Sequence, residues 1–247
     1  MADIKTTDAA HAAWLKDMEA ASRAKQEKFM NGIAARLGHP RTREKPAHSF
    51  RGAPDFWRTF EWSLEERVIR FSDNWKSVGG HVVRLSNMDE VRAFIADKGR
   101  ELGARLVVRQ NQPELAALGL EAALPEARVS VWNSDPSEHW KARAAEADIG
   151  VVMADYAAAY TGSVTVLSGK GKGRSVSLLP TVLLIVVPVE RLATRLGEVL
   201  ANFDRAGREQ LPAGIHFISG PSRSSDIEND LTIGVHGPGV VYALLVG

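Results

Sequence analysis

Hydrophobic positions recur at helical spacing early in the chain and gather into short runs later. Trp14 and Met18, then Phe29, Ile33 and Leu37, share a helical stripe over residues 9–37, and Gly38 with Pro40 supplies a stop signal. One or two amphipathic helices are expected there. Residues 38–60 carry Gly38, Pro40, Pro46, Gly52 and Pro54, with Phe50, Phe56, Trp57 and Phe60 between them. The segment reads as a linker that still has aromatic surface to bury. Such an arm either docks on a partner subunit or wraps the chain's own core. The first boundary falls at residue 60, with a helix and arm over 1–60 and one α/β domain over 61–247.

A further helix is expected over 64–75. Beyond it, strands are expected at 81–85, 105–109, 128–132, 149–153, 163–167, 182–187, 215–219, 231–235 and 240–246. Helical stretches at 88–102, 113–120 and 137–147 separate the first four strands, with Asn87 or Ser86 capping the first stretch. Strand, helix and strand joined by short connections predict βαβ units around a mostly parallel sheet. From residue 163 onward strands dominate, with one clear helix over 190–203. No repeat of fixed period and no low-complexity tract interrupts the pattern.

Composition narrows the function more than the fold. With 247 residues, 45% of them hydrophobic and 25% charged, the chain is an ordinary globular one. It contains no cysteine. That excludes disulfides, a thiolate nucleophile, a zinc ribbon and a cysteine-ligated iron–sulfur cluster on this chain. The 31 basic and 30 acidic residues nearly cancel, and no segment is basic enough to announce nucleic-acid binding. Asp3, Asp8, Lys16 and Asp17 stand where a signal peptide would be apolar, and the longest apolar stretch, 178–189, is broken by Pro180, Thr181 and Pro188. A cytoplasmic protein without a membrane span is expected.

The stretch richest in chemistry is Ser168-Gly169-Lys170-Gly171-Lys172-Gly173-Arg174-Ser175, directly after an expected strand. An extended loop would place Lys170, Lys172 and Arg174 on one side. The glycines would let the backbone take positive φ and an anion reach its amides. Ser175 or Ser177 would cap a following turn. This is a cradle for phosphate, carboxylate or a coenzyme pyrophosphate, although it fits neither the Walker nor the dinucleotide pattern. A solvated basic hairpin, or a loop that merely fastens the fold, are the plainer readings. A second polar knot runs through Gly220, Ser222, Arg223 and Asp226, and His236-Gly237-Pro238 follows. If these loops share one sheet edge with Thr161 and Gly162, they form one ligand site. Asp155 is the one weak catalytic candidate, and His236 reads first as a hydrogen-bonded structural residue rather than a base. The seven histidines show no metal-ligand spacing and no GxSxG elbow occurs, so no metal is expected.

Here the sequence resembles a known family. Ala147-Asp148-Ile149-Gly150, Thr161-Gly162-Ser163-Val164 and the run Gly169 to Pro180 resemble the lactate utilization protein C family, within the wider LUD-domain group. Ile218-Ser219-Gly220-Pro221-Ser222, Asp226-Ile227-Glu228 and Gly234-Val235-His236-Gly237-Pro238 are similar to its second signature, and residues 28–38 to its leader helix. The resemblance implies a Rossmann-like three-layer sandwich, as in ribose-5-phosphate isomerase, glucosamine-6-phosphate deaminase and coenzyme A transferases. It also implies a non-cluster subunit in bacterial oxidation of L-lactate to pyruvate. The implied partners are two iron–sulfur lactate utilization proteins that carry the clusters. A free-standing enzyme binding a phosphorylated or coenzyme A-linked anion at the glycine-rich loop is the alternative. One departure matters: Tyr160 stands where many relatives have a glutamate before Thr-Gly. A tyrosine near its usual pKa of ~10 serves neither as carboxylate nucleophile nor as general base at neutral pH.

Overall fold

A computed structural model describes residues 4–41, 43–44, 60–225 and 231–247. The expected aromatic arm lies largely outside the described residues, as does Asp226. The chain divides into two units, Met1–Thr59 and Phe60–Gly247.

The first unit contains one continuous helix, α1 (Ile4–Leu37). The stripe residues Trp14, Met18, Phe29, Ile33 and Leu37 are exposed, while Ala34 is buried. Arg41 and Arg43 reach back to Glu27 at 2.7 and 3.2 Å.

The second unit opens with α2 (Leu64–Ser77), whose N-cap Ser63 accepts from the Glu66 amide. Val68, Phe71 and Trp75 recur three and four residues apart and are buried on one face. Burial of Phe71 alone contributes about 2–3 kcal/mol. Then come β1 (His81–Leu85), α3 (Met88–Glu101), β2 (Leu106–Arg109), the single turns α4 (Pro113–Ala116) and α5 (Leu120–Ala123), and β3 (Arg128–Val131). Next are α6 (Trp140–Glu146), β4 (Ile149–Met153), β5 (Tyr156–Ala158), β6 (Ser163–Ser168), α7 (Ser175–Leu178) and β7 (Val182–Pro188). The chain finishes with β8 (Leu192–Ala193), α8 (Leu196–Ala206), β9 (Gly214–Ile218), β10 (Arg223–Ser225), β11 (Leu231–Ile233) and β12 (Val240–Val246).

Six strands form an all-parallel sheet in the order β1-β12-β7-β4-β2-β3. The central strands are buried on both faces, which is why they read as unbroken apolar runs. On β7, Val182, Leu184 and Val186 join Val91, Ile95, Leu115 and Leu120 of α3, α4 and α5 in one core. Leu183, Ile185 and Val187 join Phe71 and Trp75 of α2, Ala144 of α6, Val176 of α7 and Val164 and Val166 of β6 in the other. The sandwich therefore has helices on one face, and helices with a second sheet on the opposite face. That second sheet has the order β8-β5-β6-β9, with β6 antiparallel to both its neighbours. Gly150 lets α7 lie directly on β4, since a Cβ there would come within 2.2 Å of the Val176 carbonyl oxygen.

Three expectations need correction. The helix expected over 190–203 is a turn followed by β8, and α8 starts only at Leu196. The stretch 113–120 is broken, because Gly119 adopts a left-handed φ of 55° between α4 and α5. The strand expected over 231–235 stops at Ile233 and, among the described residues, pairs only with β10.

Candidate functional site

The glycine-rich loop sits beyond the carboxyl ends of β2, β3 and β4, the edge at which open α/β sheets present ligands. It is folded back, not extended. Gly169 and Lys172 exchange both backbone hydrogen bonds, at 3.1 and 3.0 Å, so Lys170 and Gly171 form the tip of a two-residue turn. The tip is tied to neighbouring strand ends. The Asn111 amide donates to the Gly171 carbonyl at 2.8 Å, and Asn133 Nδ2 donates to the Lys170 carbonyl at 3.0 Å. Asn133 holds a left-handed φ of 57°, the only positive φ among the described non-glycine residues. Strain of that kind gathers at sites the surrounding structure over-determines.

The turn separates the three cations expected on one side. Lys172 Nζ ion-pairs with Asp155 Oδ1, whose second oxygen accepts from the Leu167 amide at 2.8 Å. Asp155 is therefore engaged in fastening the loop. Arg174 and Lys170 stay exposed. None of Gly169, Gly171 and Gly173 has positive φ. Space is the constraint instead: a Cβ at Gly173 would come 1.9 Å from the Trp132 indole, and one at Gly171 would come 2.7 Å from the Asn111 carbonyl oxygen. No serine caps α7. Its N-cap is Arg174, and Ser177 Oγ donates to the Arg174 carbonyl at 3.0 Å, while Ser175 is its first residue. At the base of the loop, Ser168 Oγ and His216 Nε2 lie 2.7 Å apart. Burial, and then the nearby Arg174 guanidinium, hold the His216 pKa below the usual imidazole value.

The other expected site residues lie elsewhere. Thr161 and Gly162 precede β6 whereas Gly169 follows it, so six strand residues, ~20 Å, separate them. Because β9 runs antiparallel to β6, Ser219 ends beside Ser163, their hydroxyls 2.7 Å apart, at the end remote from the glycine loop. Gly220 packs on Val78 at the end of α2. Ser222 exchanges backbone bonds with Gly234 and Pro238, just ahead of β12, and His236 in that turn is exposed. These residues thus gather near the amino-terminal edge of the parallel sheet, and the structure does not bring them to the glycine loop. Tyr160 faces neither group, packing 5.5 Å from Phe60 and 6.2 Å from Trp62.

Two hollows open at the carboxyl edge on either side of α4. The larger, about 520 Å³, spans the tips of β4, β7 and β12 and is walled by Met88, Arg92, Leu118, Met153, Glu190 and Arg191. The smaller, about 400 Å³, adjoins the glycine loop and is lined by Asn111, Gln112, Pro113, Ala116, Asn133, Lys170 and Gly171. Sequence reasoning missed Asn111, Gln112 and Asn133. Their signal was the amide run Gln110-Asn111-Gln112 at the end of β2 and the lone Asn133 just beyond β3, the position from which a parallel sheet offers side chains to a ligand. Among the described residues no group of three or more histidine or carboxylate side chains could hold a metal ion. No described helix is long and apolar enough to cross a membrane.

Comparison with known proteins fits this architecture. The LUD domain description matches residues 68–246. The chain belongs to the LUD domain family, among the lactate utilization C proteins. The LUD match covers the whole six-stranded sheet and both signature loops. Lactate utilization protein C of Halalkalibacterium halodurans is 36% identical over 219 residues, covering 87% of this chain and 94% of the relative. The protein of that name in Shouchella clausii is 31% identical, covering 86% and 93%, and that of Bacillus subtilis 28% identical, covering 90% and 95%. The crystal structure of a DUF162 family protein from Deinococcus radiodurans superposes with a TM-score of 0.55 at 20% identity, covering 75% of this chain and 99% of that one. That likeness concerns the fold alone.

Proposed function

We propose that this LUD domain chain works in lactate utilization, as the subunit without clusters in a cytoplasmic system that oxidises L-lactate to pyruvate. The observation that carries the reading is similarity over nearly the full length to proteins named lactate utilization protein C, one of them 36% identical. Oxidation of L-lactate to pyruvate releases two electrons and two protons, so the system needs an electron-carrying centre. This chain has no cysteine. Two iron–sulfur partner proteins would carry the electrons, and this subunit would contribute assembly or a ligand site. Deleting the gene should abolish growth on L-lactate while leaving growth on pyruvate intact, and complementation should restore it. Unchanged growth on L-lactate would overturn the assignment.

A second reading draws support from the hollow beside the glycine loop. There the chain would itself hold a small anion, whether as part of the lactate system or as an independent enzyme acting on a phosphorylated or coenzyme A-linked compound. Tyr160 argues against a glutamyl thioester route at that position.

A further inference from the structure

Helix α1 carries an apolar stripe left exposed along its length. Trp14 is 55% exposed and Phe29 67%, and Leu15, Met18 and Ile33 beside them are exposed as well. At about 100° per residue, all of these fall within about 100° of the helix circumference. The returning chain lies elsewhere. Ala34, which is buried, and Glu27, which holds Arg41 and Arg43, are on the opposite side of the helix.

The stripe has two unlike halves. Toward the C-terminal end, a hollow of about 460 Å³ is lined by Lys25, Lys28, Phe29, Gly32, Ile33 and Arg36. Phe29 and Ile33 make it apolar and the three cations make it positive, and no carboxylate lines it. Among the described residues none of those cations has an ion-pair partner, unlike Arg23, which pairs with Glu19. Gly32 is the notch in this groove, since a Cβ there would meet nothing within 4 Å. Toward the N-terminal end stands a knob, Trp14 with Leu15 and Met18. Asp17 and Glu19 border it, while Lys16 lies on the far side of the helix. A basic groove and an acid-flanked apolar knob thus share one face.

Knob and notch also match each other in position. Trp14 and Gly32 stand about five full turns apart, so both lie on one line along the helix, ~27 Å from each other. A second α1 laid antiparallel, with its two-fold axis level with Arg23, puts each Trp14 over the other's Gly32 and repeats the contact by symmetry. The indole then lies among Lys28 and Arg36, cations that favour an aromatic face. Lys28 comes level with Asp17, and Phe29 with Leu15 and Met18. We infer that α1 pairs antiparallel with α1 of a second copy of this chain, Trp14 of each seated in the groove at Gly32 of the other. The inference does not depend on a role in lactate utilization.

The test is sedimentation equilibrium of the full chain, whose monomer is 26.9 kDa. A dimer is expected at micromolar concentration. Trp14→Ala, which empties the groove, and Gly32→Gln, which fills it, should each weaken the dimer about tenfold or more. Both substitutions raise helix propensity, so circular dichroism should show undiminished helix. Because the native chain has no cysteine, the alignment can be read by disulfide trapping. Ala21 of one helix comes level with Lys25 of the other, so an equimolar mixture of Ala21→Cys and Lys25→Cys chains should oxidise mainly to the mixed disulfide. A monomer at submillimolar concentration would overturn the inference and leave the stripe to a different protein. So would a dimer that survives both Trp14→Ala and Gly32→Gln. A mixed disulfide no more abundant than the like-with-like products would overturn it too, since that is the mark of a parallel pair or of none.

Discussion

The two signature loops of this LUD domain use glycine for different physical reasons. In the turn after β6, Gly171 and Gly173 have ordinary φ values but no room for a side chain, because Asn111 and Trp132 press against them. In the turn after β9, Gly220 is required for its conformation, with φ 75°, as well as by contact with Val78. The first loop is a packed fastening of strand ends, and the second is a backbone corner. Glycine-rich sequence thus signals close approach in one place and a left-handed bend in the other, and the first adjoins a hollow.

The largest effects should separate these two causes. Gly173→Ala forces the Trp132 indole away from its place beside Trp140 and should destabilise the protein by about 3 kcal/mol in urea unfolding. Gly220→Ala should cost about 2 kcal/mol, and Gly220→Asn should recover part of that, since asparagine tolerates left-handed φ. Gly173→Asn should be worse than Gly173→Ala. A recovery at 173 with asparagine would refute the packing explanation.

A smaller effect follows from the ion pair that holds the first loop. Asp155 and Lys172 side chains are 12% and 28% exposed, so their interaction is partly desolvated. Asp155→Asn should destabilise by about 1–2 kcal/mol, and Lys172→Met added to it should cost little more, because the partner has already been lost. Full additivity in that double-mutant cycle would show that the pair contributes nothing.

The smallest effect is a pH dependence. His216 has a folded pKa below its unfolded value, so the unfolded chain binds more protons over the window between the two. Its contribution to stability is complete above the unfolded pKa of ~6.5 and is lost as pH falls through and below that value. His216→Gln should flatten the fall in stability on the acid side of neutrality, as read by melting temperature against pH. An unchanged acid limb would show that His216 does not govern it.

The centre of the parallel sheet was legible because its strands are buried on both faces: β4 and β12 fall where apolar, β-branched runs predicted them. The three-residue β5 and two-residue β8 were not, since so few residues carry no period of their own and are defined by pairing with each other. For the same reason the helix expected from residue 190 loses its first turns to β8. The glycine loop was legible as a chemical feature, but its conformation was not. Whether Lys172 faces a ligand or Asp155 depends on a turn closed by Gly169 and by Asn111, far apart in the chain. The separation of the serine-rich loop from it follows from β9 running antiparallel to β6, a long-range choice that local spacing does not encode.

The order of the large sheet has a bearing on how the protein is made. Strand β12 lies between β1 and β7 and is hydrogen-bonded to both. During synthesis from the N-terminus, β1 and β7 emerge with a strand-wide gap between them and must wait for almost the entire LUD unit before it is filled. Both edges are open to mispairing for that interval, and such non-local closure is intrinsically slow. A nascent chain stalled just before Val240 should therefore be a client for chaperones, while one extended past Val246 should shed them as the last strand slots home.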